Sequence, residues 1–385
     1  MQGRFHHLYR DEQGMSFVYV GMGFMGFLAA STLAIDVGMF MTARAQAQNA
    51  ADAGALAGAV ALVQNSYTDR SGSGPAVKSA INTAQSNQII GAAPSVVTGD
   101  VSFPVGPTGQ SNRVQVQVYR STERGNAVPT MMASLFGVQT VNVAATATAE
   151  ASPANAMTCV KPFMIPDKWR EVQTPPWDTG DTFDSYDNHG NPLPNPDVYI
   201  GAADKANYTG YSVANDKGTV LVLRAGTGDQ INPSFYFSWK MPGDTGGDFY
   251  RDNIANCNQT VIRTNDPIIQ EPGDKSGPTI QGINDLIAKD PNAYWDTSCV
   301  CVKGSAYGSS PRVFPIPMYD PAYYATGKAN GRVADFKVAN FLGFFVDHTQ
   351  GNSIWGRITN ITGLVDPNAP AAPEGSFPTA IRLVQ

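Results

Sequence analysis

Charge is scarce in this chain. Asp, Glu, Lys and Arg make up 15% of its 385 residues, against roughly a quarter in an ordinary soluble domain. The net charge is a mild -6 and no stretch gathers Lys and Arg into a stripe, so nothing here answers a phosphate backbone and no nucleic-acid partner is expected. Histidine is scarcer still: His6, His7, His189 and His348. There is no H-E-x-x-H, G-x-S-x-G, P-loop or G-x-G-x-x-G, and neither His189 nor His348 stands beside a recognisable nucleophile motif. The sequence therefore predicts a protein that is not an enzyme and carries no cofactor.

Cysteine is missing from the first 158 residues; the four present are Cys159, Cys257, Cys299 and Cys301. An even number in an exported domain predicts two disulfides. One residue separates Cys299 from Cys301, and a bridge between them closes a very small, strained ring. The spacing thus favours Cys159 and Cys257 each pairing with one of that couple. Two rival readings stand: a four-thiolate zinc site, against which the lack of paired C-x-x-C spacing counts, and free buried thiols.

What the sequence does contain begins with a run free of charge, Met15 to Ile35, MSFVYVGMGFMGFLAASTLAI. At 1.5 Å per residue such a helix spans the roughly 30 Å hydrocarbon core of a bilayer. Asp36 comes next, near the far interface, either reaching headgroup water or pairing with a basic group of a partner helix. Arg4 and Arg10 precede the run and Arg44 lies beyond it, which places the N-terminus in the cytoplasm and the bulk of the chain outside. A cleaved signal peptide is the competing reading, but the run is long for one and continues as helix.

That continuation, TARAQAQNAADAGALAGAVALVQ over residues 42–64, is rich in alanine and free of proline. Small residues recur every four positions. Gly26, Ala30, Ala34, Gly38 and Thr42 form one stripe, Ala43, Ala47, Ala51, Ala55 and Ala59 a second, and Ala50, Gly54 and Gly58 a third. Such stripes let helices approach closely, so they pack either on a partner helix or on the chain's own domain. Asp52 among them either solvates a face or pairs with Arg44 or another chain.

Beyond the helix, the pattern predicts a small α+β module over 65–150. It has a helix from Pro75 to Asn87, strands at Val96–Phe103, Arg113–Tyr119 and Gln139–Ala149, and a short helix over Pro129–Phe136. Its plan is loosely like that of pilins. Residues 151–157 read as a linker. From 158 to 385 the chain reads as mostly β and loop-rich, stapled by the cysteines, with strands at Thr219–Arg224, Ser234–Trp239, Asn256–Arg263, Arg332–Phe345 and Ile354–Val365 and one good helix at Pro278–Ala288. The fold class is α+β: residues 1–14 a cytoplasmic tail, 15–64 a transmembrane helix with an extension, then the module, the linker and the β domain.

Two features of the last domain invite a ligand. Aspartates cluster at Asp178, Asp181, Asp184 and Asp187 beside Gly190. Asp181, Asp184 and Asp187 are candidate Ca2+ ligands, but the spacing departs from an EF-hand loop, and a polar loop whose Asp and Asn side chains cap turns is the favoured reading. All five tryptophans, Trp169, Trp177, Trp239, Trp295 and Trp355, lie beyond residue 160; they either line a carbohydrate site or fill the core.

The N-terminal residues carry a family likeness. Arg10-x-x-x-Gly14, the apolar span, Asp36-Val-Gly38 and then RAQAQNAADAGALAGA from Arg44 to Ala59 resemble the N-terminal signature of TadG-like proteins of the Flp, or tight adherence, pilus assembly system of bacteria. NAADAGALAGA is its most specific part. The stretch Val128–Ala149 also resembles the segment beyond that helix in such proteins. CVKPFMIPDKW and GPTIQGINDLIAKDPNAYW are similar to relatives with a Cys-rich extracytoplasmic domain. The von Willebrand factor A metal motif of some members, D-x-S-x-S, is missing here, so that metal site is not carried over. Pilins of this system are cut after a glycine with a glutamate five residues on; here Tyr19 stands at that place after Gly14, which argues against such processing. The resemblance implies a single-pass protein of the bacterial inner membrane with its bulk periplasmic or extracellular. Its implied partners are the lipid bilayer, pilus assembly proteins or pilin-like helices, and, through the small stripes, a second copy of itself. The alternative is a surface adhesin that recognises glycan or protein through residues 160–385.

Overall fold

Nothing between Glu12 and Gln64 stops a helix: there is no proline, and alanine dominates the second half. In the computed structural model those residues form one helix, α1 (Glu12–Gln64), about 80 Å long at 1.5 Å per residue. It is long and apolar enough to cross a membrane. The structure describes residues 12–64, 69–106, 112–187, 189–204, 206–226, 230–271, 273–329, 336–373 and 375–384. Arg4, Arg10, His6 and His7 lie outside the described residues.

The chain divides into two units. Residues 1–61, 68–150 and 383–385 form the first, and residues 62–67 and 151–382 the second.

In the first unit, Pro75 at the first helical turn opens α2 (Pro75–Ser86), whose buried face is Ala76, Val77, Ala80 and Ala84. The strands are β1 (Val101–Ser102), β2 (Arg113–Arg120) and β3 (Val143–Pro153). Both pairs are antiparallel, with Val101 opposite Val116 and Val116 opposite Ala147. The RVQVQVYR alternation of β2 buries Val114, Val116 and Val118, as period-two patterning requires. The strand expected over Val96–Phe103 keeps only Val101–Ser102; Thr98–Asp100 before it is a 3-10 turn in which Asp100 turns back to accept the Val97 amide at 2.8 Å. The helix expected over Pro129–Phe136 shrinks to a 3-10 turn, Ala133–Phe136, with Val128–Pro129 extended before it.

The expected linker 151–157 is a correction. Residues 151–153 finish β3, and Ala156–Met157 pairs with Ile262–Arg263. Alanine, serine and proline lack side-chain pattern there, but their backbone groups are spent in strand pairing.

In the second unit the main strands are β4 (Phe163–Pro166), β5 (Val220–Ala225), β6 (Phe235–Ser238), β7 (Pro267–Ile268), β8 (Val313–Tyr319), β9 (Phe336–Gln350) and β10 (Ser353–Thr359). They pair in the order β7-β9-β8-β4-β6-β5-β10, and β10 pairs again with β9. Six strands thus close on themselves as a barrel, which leaves few free edges. The β8–β4 and β6–β5 pairs are parallel and the rest antiparallel.

Side-chain alternation splits the core in two. Phe163, Ile165, Tyr236, Phe314, Ile316, Leu342 and Phe344 join one cluster, with Tyr250, Ile254, Ile283 and Leu286 from two helices. Those helices are α3 (Gly247–Ala255), which the sequence pattern did not reveal, and α4 (Ser276–Lys289). Met164, Phe237, Tyr319 and Phe341, their neighbours in the chain, join the other. Strands buried on both faces read as continuous apolar runs, and FLGFFV in β9 is one.

Candidate functional site

The candidate site is α1 and the groups it holds. Its residues 16–30 are exposed along the whole circumference, so this apolar stretch packs on nothing in its own chain. Past Thr42 the pattern changes. Ala43, Ala47, Ala51, Ala55 and Ala59 are fully buried, and so are Gly54 and Gly58. A Cβ added at Gly54 would stand 2.9 Å from Ala84 Cβ and 3.0 Å from the Ala80 carbonyl oxygen. One added at Gly58 would stand 2.8 Å from Val114 Cγ1 and 3.1 Å from Ala80 Cβ. The second and third small stripes therefore seat α2 and β2 of the chain's own module. Gly54 and Gly58 thus lie against the chain's own module.

The first stripe behaves differently. Gly26, Ala30, Ala34 and Gly38 are exposed, and a Cβ at Gly26 or Gly38 would meet nothing within 4 Å. Asp52 does not pair with Arg44; its Oδ1 accepts Gln48 Nε2 at 2.8 Å, one turn back.

Asp36 has a role within the chain that neither expectation named. Its neighbours on the helix are exposed, yet it is only 3% exposed itself. Its Oδ1 accepts the Met131 amide at 3.0 Å and the Met132 amide at 3.2 Å; its Oδ2 accepts the Met132 amide at 3.2 Å and the Ala133 amide at 2.5 Å. These are the unsatisfied amides that open the 3-10 turn Ala133–Phe136. The carboxylate acts as an N-cap from a helix some 95 residues earlier in the chain. Sequence spacing held no sign of it, because an acceptor and three backbone amides far apart in the chain leave no pattern.

The cysteine pairing is corrected. Cys159 bonds Cys257, and Cys299 bonds Cys301. The first joins the approach to β4 with the end of α3, where the Cys159 amide also donates to the Asn258 carbonyl at 2.8 Å. The second sits at the turn of a small hairpin in which Asp296 faces Cys301. Val300 at φ 52° folds the backbone so that the two Cα atoms stand 5.2 Å apart, inside the range a disulfide spans. With all four thiols bonded, neither the zinc reading nor the free-thiol reading survives.

The calcium candidates do not converge. Asp181 Oδ2 accepts the Asp178 amide at 2.6 Å. Asp187 accepts the amides of His189 and Asn191, both at 2.8 Å, and the Asn191 side chain at 3.0 Å; these bonds hold it below the usual carboxylate range. The Asp184 backbone is bound to Asp197 at 2.8 and 2.9 Å. Each of the three serves its own turn, and among the described residues no three His, Cys, Asp or Glu side chains form a metal cluster.

Asp167 is the most buried acid of the second unit and went unnoticed in the sequence. It lies just past β4 and accepts Tyr208 Oη at 2.7 Å, Tyr199 Oη at 3.0 Å and the amides of Lys168 and Tyr211 at 2.9 and 3.2 Å. Burial pushes its pKa up to about 6 against the pull of these four donors. Lys168 beside it pairs with Asp216 at 2.6 Å and lies over the Trp177 ring. The cluster pins the long loop 167–216 to the barrel. Three of the tryptophans belong to the core: Trp169 and Trp239 are buried and Trp177 packs against them half-buried, with Trp169 meeting Trp177 and Phe183 edge to face; Trp295 and Trp355 are half-buried outside it, beside Phe345 and His348.

No curated protein and no solved structure was found to match the chain. Residues 15–61, the membrane-length run and the small stripes of α1, match the family model for Flp pilus-assembly TadE/G-like proteins, and the chain therefore carries a TadE/G-like helix at its N-terminal end.

Proposed function

We propose that this chain is a non-enzymatic, membrane-anchored component of Flp pilus assembly, held in the bacterial inner membrane by α1 with its N-terminus cytoplasmic and both units outside. The family match on residues 15–61 carries the reading, because it falls on the one described helix that is long and apolar enough to cross a membrane. The two disulfides support export, since such bonds persist in oxidising compartments. Lipid is the first partner. Pilus assembly proteins or pilin-like helices, or a second copy, meet the helix at Gly26, Ala30, Ala34 and Gly38, the stripe its own module leaves open.

Electron microscopy of surface filaments on a clean deletion strain tests the proposal. Filaments should be lost and should return on complementation. Normal filaments in the deletion strain would overturn it and move attention to a binding role of the second unit.

A further inference from the structure

After Glu123 and Arg124 the sequence holds no Asp, Glu, Lys, Arg or His until Glu150. Within that stretch Met131 is 60% exposed, Leu135 77%, Phe136 73% and Val138 48%. A single exposed apolar side chain is ordinary, but four on one short uncharged turn form a patch that asks for a partner. The turn is also fixed in place. Asp36 accepts the amides of Met131, Met132 and Ala133, which ties the turn to the point on α1 where the uncharged run 15–35 ends. Past that point the helix still shows Val37 and Met41 to the outside. A carboxylate near hydrocarbon is costly unless its lone pairs are filled; three amide donors fill them, and the turn covers the group.

We propose that the turn Met131–Val138 is a second lipid contact, lying in the headgroup–acyl boundary beside the anchor helix with Leu135 and Phe136 directed into the acyl region. The inference rests on the reading of α1 as a membrane anchor. Its occupant is a bilayer surface rather than a partner helix for two reasons. The turn is held by Asp36 against α1 where the helix still shows Val37 and Met41 to the outside. And a four-residue 3-10 turn offers no i, i+3, i+4, i+7 face for a helix to read, whereas short apolar segments with an aromatic residue suit the interface.

The native cysteines are all disulfide-bonded, so an added cysteine takes an environment-sensitive fluorophore selectively. The test places the label in the full chain, in vesicles of phosphatidylcholine and phosphatidylglycerol, at Leu135→Cys, at Leu28→Cys in the span, and at Lys78→Cys. Lys78 is an exposed residue of α2, the helix packed on Gly54 and Gly58 and so about 27 Å along α1 from Asp36. Nitroxide-bearing lipid should quench the labels at 28 and 135 at least twofold and leave 78 unaffected, while aqueous iodide should quench only 78. Asp36→Ala should raise iodide quenching at 135 at least twofold with position 28 unchanged; no change there would remove Asp36 from the contact. Iodide reaching 135 as freely as 78, or neither quencher reaching it, overturns the lipid contact while 28 still reports an inserted anchor. Loss of lipid quenching at 28 overturns the anchor reading itself.

Discussion

A methyl group has nowhere to go at Gly54 or Gly58. The nearest atoms are the Ala80 carbonyl oxygen, Ala80 and Ala84 Cβ, and Val114 Cγ1, all on backbone or on short side chains that cannot swing aside. Gly54→Ala or Gly58→Ala should destabilise the first unit by about 1–3 kcal/mol, as overpacking does. Gly26→Ala, with open space around it, should cost nothing; thermal unfolding in detergent compares the three. Asp167 yields a prediction in pH. Its folded pKa of about 6 lies above its ordinary 3.8, so between those values the folded state holds a proton that the unfolded state has released. The contribution of Asp167 to stability is therefore fully present below about pH 4 and is lost as pH rises through 6, by about 3 kcal/mol for a two-unit shift. Asp197, pushed up to about 6 by burial and by Glu171 beside it, works in the same window. Asp167→Asn should accordingly remove only its own share of the slope, read as urea midpoints from pH 4 to 6.5. A slope equal to that of the native chain would show that Asp167 stays ionised in the fold.

At the level of elements, legibility tracked locality. The Ala-rich run announced α1, the V-Q-V-Q-V alternation announced β2, and Ile280, Ile283, Leu286 and Ile287 announced α4. Each signal lies within one element. The failures all concern partners distant in the chain. Barrel closure depends on β10 pairing with both β5 and β9, and no residue of GRIT says which neighbour it will take. The α3 segment GDFYRDNIA is short and polar at most positions, and it is held by Tyr250 and Ile254 packing with Ile283 and Leu286 of α4, which its own sequence does not announce. The cysteines failed for the same reason, because spacing says nothing about Cys159 meeting Cys257 across 98 residues. That long loop makes this bridge the one that matters to stability. Constraint of the unfolded chain grows with the loop closed, so replacing Cys159 and Cys257 by Ser should cost about 2–5 kcal/mol. Replacing Cys299 and Cys301, which close a loop of separation 2, should cost about 2 kcal/mol or less. Urea unfolding of the two double variants tests the order; equal losses would mean that the small hairpin bridge holds more than its own turn.

For the whole molecule the question is which side of the membrane each part occupies, and two independent features bear on it. Arg4 and Arg10 before the span outnumber Arg44 just after it, a bias that under the proposed anchoring would retain the N-terminus in the cytoplasm by a small margin. Both disulfides lie in the second unit, and a glutathione-buffered cytosol would keep such thiols reduced. The charge bias is local to the span and weak; the disulfides belong to the far end of the chain and do not depend on it. Protease added to intact spheroplasts should therefore destroy a C-terminal tag at once and leave an N-terminal tag on a short protected fragment ending soon after the span. The same orientation should leave the cysteines unreactive to maleimide until a reductant is added. A protected C-terminal tag with free thiols would reverse the orientation. A protected tag with bonded thiols would mean that the disulfides form without export, and the charge bias would then have to be judged alone.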